Sequence, residues 1–93
     1  MKIDIVIPVH NEGLFIEGFL KELFNEGKPL QSIRNIIFVD DGSIDDTANI
    51  IKNYKNKKIK LISNAKNYGK GYAMRVGLKK AKKTGAEAVI FMD

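Results

Sequence analysis

The residues of this 93-residue chain that could do chemistry fall in four short clusters. They are His10-Asn11-Glu12, Asp40-Asp41-Gly42-Ser43, Asn67-Tyr68-Gly69-Lys70-Gly71 and the final Asp93. Adjacent carboxylates repel each other and do not help a strand pack, so Asp40-Asp41 needs a reason. A second pair, Asp45-Asp46, follows it. Ser43 with Asp46 three residues on resembles a capping box. Asp45 and Asp46 then lie in the first turn of a helix, where negative charge complements the dipole. A helix start already filled with carboxylates is a poor phosphate site. Asp40 and Asp41 are therefore expected to take hydrogen-bond donors, such as a base N–H or ribose hydroxyls, unless they only cap the turn.

The Gly69-Lys70-Gly71 stretch has the opposite character, with glycines that let backbone N–H groups approach a ligand and no acid nearby. Lys66, Lys70 and Arg75 could add charge against a diphosphate. The spacing is not that of a P-loop, and turn formation with helix packing would equally explain the glycines. His10, the sole histidine, could be a base, although a lone loop histidine is more often a hydrogen-bonding residue. Glu12 could grip a sugar hydroxyl or sit in the first turn of a helix. Asp93 ends an apolar run, where a carboxylate has no packing role and a hard cation is its natural partner.

The elements that must position these clusters alternate. Ile3-Asp4-Ile5-Val6-Ile7 is a strand ended by Pro8. Leu14, Phe15, Phe19, Leu20, Leu23 and Phe24 recur at helical spacing, and Gly27 with Pro29 stops that helix. Ile36 to Val39 is a second strand. Ala48, Ile50, Ile51 and Tyr54 mark a short helix, and Ile59, Leu61 and Ile62 a third strand. Ala73, Met74, Gly77, Leu78 and Ala81 share one face of a third helix, with Arg75, Lys79, Lys82 and Lys83 on the other. Ala88 to Met92 is a fourth strand. The order βαβαβαβ with short connections predicts a three-layer α/β/α fold on a mainly parallel four-stranded sheet. In such sheets ligands bind beyond the carboxyl ends of the strands, where strand order reverses. The polar clusters, Asn64 included, fall at those ends and should converge on one crevice.

Composition narrows the classes. A chain this size holds one small core. With no cysteine there is no disulfide framework, thiolate metal site or cysteine nucleophile. The apolar start is too short for a signal sequence or a membrane span. Net charge is +5, and twelve of the sixteen basic residues lie between Lys52 and Lys83, a stretch without acids. That half could meet phosphates, nucleic acid or an anionic membrane, or be a solvated lysine face. Nucleic acid is not the expected partner, because exposed aromatics and an RNA-reading motif are lacking. A Rossmann dinucleotide site needs G-x-G-x-x-G after the first strand, where this chain has PVHNEG. Response-regulator and phosphohydrolase sites need acids there, where Pro8 and Val9 stand.

The segments IVIPVHNE, FVDDGSIDDT, NAKNYGKGYAMRVGLKKA and AVIFMD, in this order through nearly the whole chain, resemble the N-terminal half of family 2 glycosyltransferases. The GKGYAMRVG stretch is most similar to the branch that charges polyprenyl or dolichyl phosphates. The resemblance implies a Rossmann-like GT-A fold over residues 1–93 and an inverting transfer of sugar from a UDP- or GDP-linked donor. It implies that Pro8 and Glu12 contact the nucleoside, that Asp41 receives the base N–H, and that Asp40 supports that turn. His10 lies in the same donor loop. Lys70 and Arg75 are placed near the nucleobase and diphosphate. Asp93 is matched to the first aspartate of D-x-D, which meets the ribose and a Mg²⁺ or Mn²⁺ ion. The second such aspartate, the acceptor region and the catalytic base are absent, so a fragment of a longer enzyme is expected. That enzyme would work in the cytoplasm or at the cytoplasmic membrane face. A non-catalytic nucleotide-binding module is the alternative. An exposed sheet edge would invite homodimers.

Overall fold

A computed structural model describes residues 1–25 and 30–93. Seven elements follow in order: β1 (Ile3–Val9), α1 (Gly13–Asn25), β2 (Ile33–Asp41), α2 (Thr47–Asn53), β3 (Ile59–Asn64), α3 (Lys70–Lys83) and β4 (Ala88–Phe91). The four strands are parallel and ordered β3-β2-β1-β4. The chain steps outward from β1 to β2 to β3, then crosses back to place β4 on the other side of β1. Strand order therefore reverses at β1, and its carboxyl end opens the crevice.

The two faces of the sheet carry separate cores, as parallel strands buried on both sides require. Ile5, Ile7, Ile36 and Phe38 pack with Ile16 and Leu20 of α1 and Ile51 of α2. Val6, Ile37 and Val39 pack on the opposite face with Ala73 and Ala81 of α3. The expected three layers thus form, with α1 and α2 below and α3 above. The fully buried residues of α3 are all small, Ala73, Gly77 and Ala81, because the helix lies close on the sheet. A Cβ at Gly77 would stand 2.3 Å from a Val6 methyl.

Two local expectations change. β2 starts at Ile33 and continues through Asp41, so the acidic pair belongs to the strand and its register partners are Ser63 and Asn64 of β3. The buried face of α1 is set by Ile16 and Leu20, whereas Leu14 and Phe15 are 93% and 73% exposed. Both share the first turn with buried Ile16, so they sit on sides of the helix that the sheet does not cover. The expected stop at Gly27 and Pro29 lies outside the described residues.

Asp4, which interrupts the first apolar run, is fully buried. Arg34 donates to it through Nε at 2.9 Å and Nη2 at 2.7 Å, and the Asn35 amide adds a third bond at 3.2 Å. The same guanidinium donates to the Thr84 carbonyl at 2.6 Å. A bidentate ion pair thus ties the amino ends of β1 and β2 to the end of α3, at the opposite end of the sheet from the crevice.

Candidate functional site

Three loops leave the carboxyl ends of β1, β2 and β3, and side-chain hydrogen bonds lace them together. Asp41 is the central member. It is 3% exposed, and its Oδ1 accepts from Asn64 Nδ2 at 2.9 Å and the Tyr68 amide at 3.1 Å. Its Oδ2 accepts from the Gly69 amide at 2.7 Å. Burial pushes this carboxyl up, but the bonds from Asn64, Tyr68 and Gly69, with the nearby His10, outweigh it and hold it below its usual value. A carboxylate offers about four acceptor positions. Three are taken, which leaves one.

This arrangement alters the expectation for α3. The Asp41 carboxylate already takes the Tyr68 and Gly69 amides just before the helix, so those two donors are not free for an anion. Asp40 is buried and turns inward, accepting the Ser43 amide at 3.2 Å, so it shapes the turn as expected. Gly42 follows with a φ of 69°, and a Cβ there would stand 2.3 Å from the Lys66 backbone. Glycine is thus required in Asp-Asp-Gly both by the left-handed turn and by the third loop pressing on it.

The capping box does not form. Asp46 is the N-cap of α2 without a side-chain cap bond, and Ser43 Oγ instead accepts the Asn11 amide at 2.8 Å. Asp45 takes over the helix start. Its Oδ1 accepts from the Thr47 amide and hydroxyl, while Oδ2 accepts the Gly13 amide at 2.9 Å. The Thr47 side chain, fully buried, accepts the Glu12 amide at 2.8 Å. One carboxylate therefore bridges the starts of α1 and α2, and these bonds hold it below its usual value. No motif marks Thr47, whose role depends on the β1–α1 loop lying alongside it.

His10 Nδ1 lies 2.7 Å from the Asp41 carbonyl, and its Nε2 lies 3.1 Å from Asn11 Nδ2 and 3.3 Å from Asn67 Nδ2. Both ring nitrogens are engaged by protein groups, the hydrogen-bonding role that a lone loop histidine more often has.

Pro8, Val9, His10, Glu12, Asp41, Asn67, Lys70 and Asp93 line one cavity of about 240 Å³. A neighbouring hollow of about 170 Å³ shares Pro8, Val9, Glu12 and Asp93, and adds Phe15 and Phe19 from α1. Six of the eight expected site residues thus meet. Asp40 lies behind the turn, and Arg75 points from the exposed side of α3 with its guanidinium 3.6 Å from where a Gly71 Cβ would stand. Lys70 forms an ion pair with Asp93, both partners half exposed or more. A cation thus already stands at the carboxylate expected to hold a metal. Among the described residues no group of three or more metal-ligating side chains assembles, so Asp93 can supply one oxygen ligand. Exposed aromatics, expected to be missing from the basic half, do occur: Tyr68 and Tyr72 are 49% and 40% exposed, but they stack on each other with centroids 4.6 Å apart.

Comparison with known proteins gives a consistent picture. The family model described as Glycosyl transferase family 2 matches residues 4–93. The chain is 37% identical to CsbB of Bacillus subtilis over 98% of its own length and 27% of that protein's. It is 34% identical to the UDP-N-acetylglucosamine–dolichyl-phosphate N-acetylglucosaminyltransferase of Methanococcus voltae, over 96% of this chain and 39% of the relative. The solved structure of Staphylococcus aureus TarS residues 1–349 with UDP superposes with a TM-score of 0.78 at 30% identity, covering 100% of this chain and 27% of that one. The mannosyltransferase PcManGT of Pyrobaculum calidifontis, solved with GDP-Man and Mn²⁺, shares the fold with a TM-score of 0.73 at 21% identity, over 86% of this chain and 24% of that one. The chain therefore spans only about a sixth to two fifths of the proteins it matches.

Proposed function

The chain belongs to glycosyl transferase family 2, and on that premise we propose that residues 1–93 form the donor-nucleotide portion of an inverting sugar transferase. The observation that carries this reading is the crevice where strand order reverses, lined by Pro8, His10, Glu12, Asp41, Lys70 and Asp93. Asp41 has one acceptor position left and faces that space, which suits a base N–H. Pro8 and Glu12 flank the nucleoside. Lys70 and, from its exposed position, Arg75 supply positive charge for the diphosphate, and Asp40 holds the turn. TarS, a relative solved with UDP, and PcManGT, solved with GDP-Man and Mn²⁺, support a UDP- or GDP-linked donor.

Asp93 fits a Mg²⁺ or Mn²⁺ ion as a single hard oxygen ligand, with the donor's diphosphate completing the shell. Such an ion, when bound, offsets charge on the departing nucleoside diphosphate. Lys70 must then leave Asp93 and turn to the phosphates. The acceptor, with a polyprenyl phosphate as the candidate drawn from relatives such as the Methanococcus voltae enzyme, is handled by parts of those longer proteins outside this span. The site of action follows from that acceptor, in the cytoplasm or at its membrane face. Among the described residues no helix is long and apolar enough to cross a membrane.

Calorimetric titration with UDP, GDP and their sugars, with and without Mn²⁺, tests the reading. Metal-enhanced binding of one nucleotide is expected. No nucleotide binding, with tight salt-sensitive RNA binding instead, would overturn it. Nucleotide binding together with sugar transfer by the full-length protein separates the enzyme from a non-catalytic module.

A further inference from the structure

The ring of His10 sits where the three crevice loops meet, and its partners dictate its protonation. The Asp41 carbonyl can only accept, so Nδ1 carries the hydrogen in that 2.7 Å contact. Nε2 faces the side-chain amides of Asn11 and Asn67. Each amide's orientation is set by its other end. Asn11 Oδ1 accepts the Ile44 amide at 2.9 Å, and Asn67 Oδ1 accepts the Gly69 amide at 3.2 Å. Both asparagines thus present N–H groups to the ring, and Nε2 must be the bare acceptor.

We infer that His10 is a positioning residue that works only as the neutral Nδ1–H imidazole, joining the β1–α1, β2–α2 and β3–α3 loops around the donor pocket. A proton on Nε2 would face two N–H donors. The Asn67 amide can turn over at small cost, because Gly69 keeps its bond to Asp41. Asn11 cannot: turning it sets its NH₂ against the Ile44 amide and breaks that bond, one of those between the first two loops. Asn11 is also held at a φ of 50°, a backbone state most residues resist, so its place in the turn is narrow.

The charged groups sharing the pocket with the ring are Glu12 of the first loop, Asp41 of β2, Lys70 of α3 and Asp93 after β4. A hydrogen added to Nε2 would meet the asparagine amides that now donate to it, and the loop contact is what yields. The inference rests on the donor-site reading only for what the loops enclose.

Two measurements separate the ideas. First, ¹⁵N NMR of the intact chain should show the Nδ1–H tautomer near neutral pH. On lowering the pH to about 5.5, across the range where imidazoles charge, the Ile44 amide should lose exchange protection. His10→Gln, which can donate at one end and accept at the other but cannot charge, should keep that protection. An Nε2–H tautomer, or an Ile44 amide indifferent to pH, would overturn the inference, and this readout needs no ligand. Second, UDP-glucose and GDP-mannose, whose esterified diphosphates do not titrate in this range, should bind the wild type about five- to tenfold more weakly at the lower pH, the scale of one lost hydrogen bond. His10→Gln should show a flat profile, and His10→Phe weaker binding at both pH values. Nucleotide-sugar binding that is pH-independent in the wild type refutes the link to the pocket. If no nucleotide sugar binds at any pH while the NMR behaviour is seen, the donor reading fails and the loop role of His10 stands.

Discussion

On the proposed donor-site reading, Asp41 carries two duties that a sequence shows as one. At the end of an apolar strand a carboxylate looks like a ligand group whose removal leaves the fold alone. In the structure it also satisfies Asn64 and the Tyr68 and Gly69 amides. Removing it strands donors in a site that is nearly closed to water. Asp41→Ala should therefore weaken nucleotide binding and also lower the melting temperature. Asp41→Asn keeps an oxygen for Asn64 and Tyr68 but sets an NH₂ against Gly69, so it should melt between the two while binding nucleotide poorly. Calorimetry and thermal melts on the three proteins check the order, and equal melting temperatures would show that the carboxylate is no structural clamp. The same bonds fix a pH dependence. Asp41 and Asp45 are both lowered from 3.8 in the fold, so between their native values and 3.8 the unfolded chain binds more protons than the folded one. The stability they contribute is complete above the unfolded value and drains away as the pH falls through the native ones. Melting temperature should hold down to about pH 5 and fall below about pH 4. Asp45→Asn should flatten that acid limb.

At the scale of elements, α3 lies against the sheet through Gly77, and the neighbouring strands explain why. Ala is the better helix former by about 1 kcal/mol. Yet a Cβ at position 77 would meet Val6 at 2.3 Å and Val39 at 3.2 Å, both immobile in buried strands. Overpacking of this kind costs about 1–3 kcal/mol, and it wins. Gly77→Ala should destabilise by about 1–2 kcal/mol, read from urea midpoints. Gly18, on the exposed side of α1 with nothing within 4 Å of its virtual Cβ, is the control. Gly18→Ala should stabilise by up to about 1 kcal/mol. Helical spacing put Gly77 on the packed face of α3 but could not show the Val6 methyl that bars a side chain there, which marks where the sequence's legibility ended. Periodicity placed α3 and all four strands, because apolar runs and helical spacing are local properties. It misplaced the start of the α1 face, since Leu14 and Phe15 were counted with it while the buried residue of that turn is Ile16. The Ser43–Asp46 spacing suggested a capping box, yet Ser43 was drawn away by a loop distant in sequence. Convergence of Pro8, His10, Glu12, Asp41, Lys70 and Asp93 was legible because parallel topology puts every strand's carboxyl end on one side. The Thr47 and Asn67 contacts were not, since they depend on how three loops pack.

For the whole molecule, the order β3-β2-β1-β4 leaves two strands with an unpaired edge, and they are unequal. β3 carries exposed Lys60 and Ser63 along its edge, charge and polarity that discourage pairing. β4 is short and ends in Ile90 and Phe91, which are 47% and 42% exposed. Successive strand residues point to opposite faces, so apolar surface is open on both sides of the sheet at this edge. An edge with that character pairs with another strand when one is offered. The isolated chain should self-associate through β4 as its concentration rises, seen as a growing sedimentation coefficient. Ile90→Lys should keep it monomeric at every concentration, while Lys60→Ile, by removing a charge from the other edge, should add to association. Because Asp93 follows β4, a pair formed there also crowds the crevice, so nucleotide binding should favour the monomer. Association unaffected by Ile90→Lys would place the contact elsewhere, on the exposed Leu14 and Phe15 of α1.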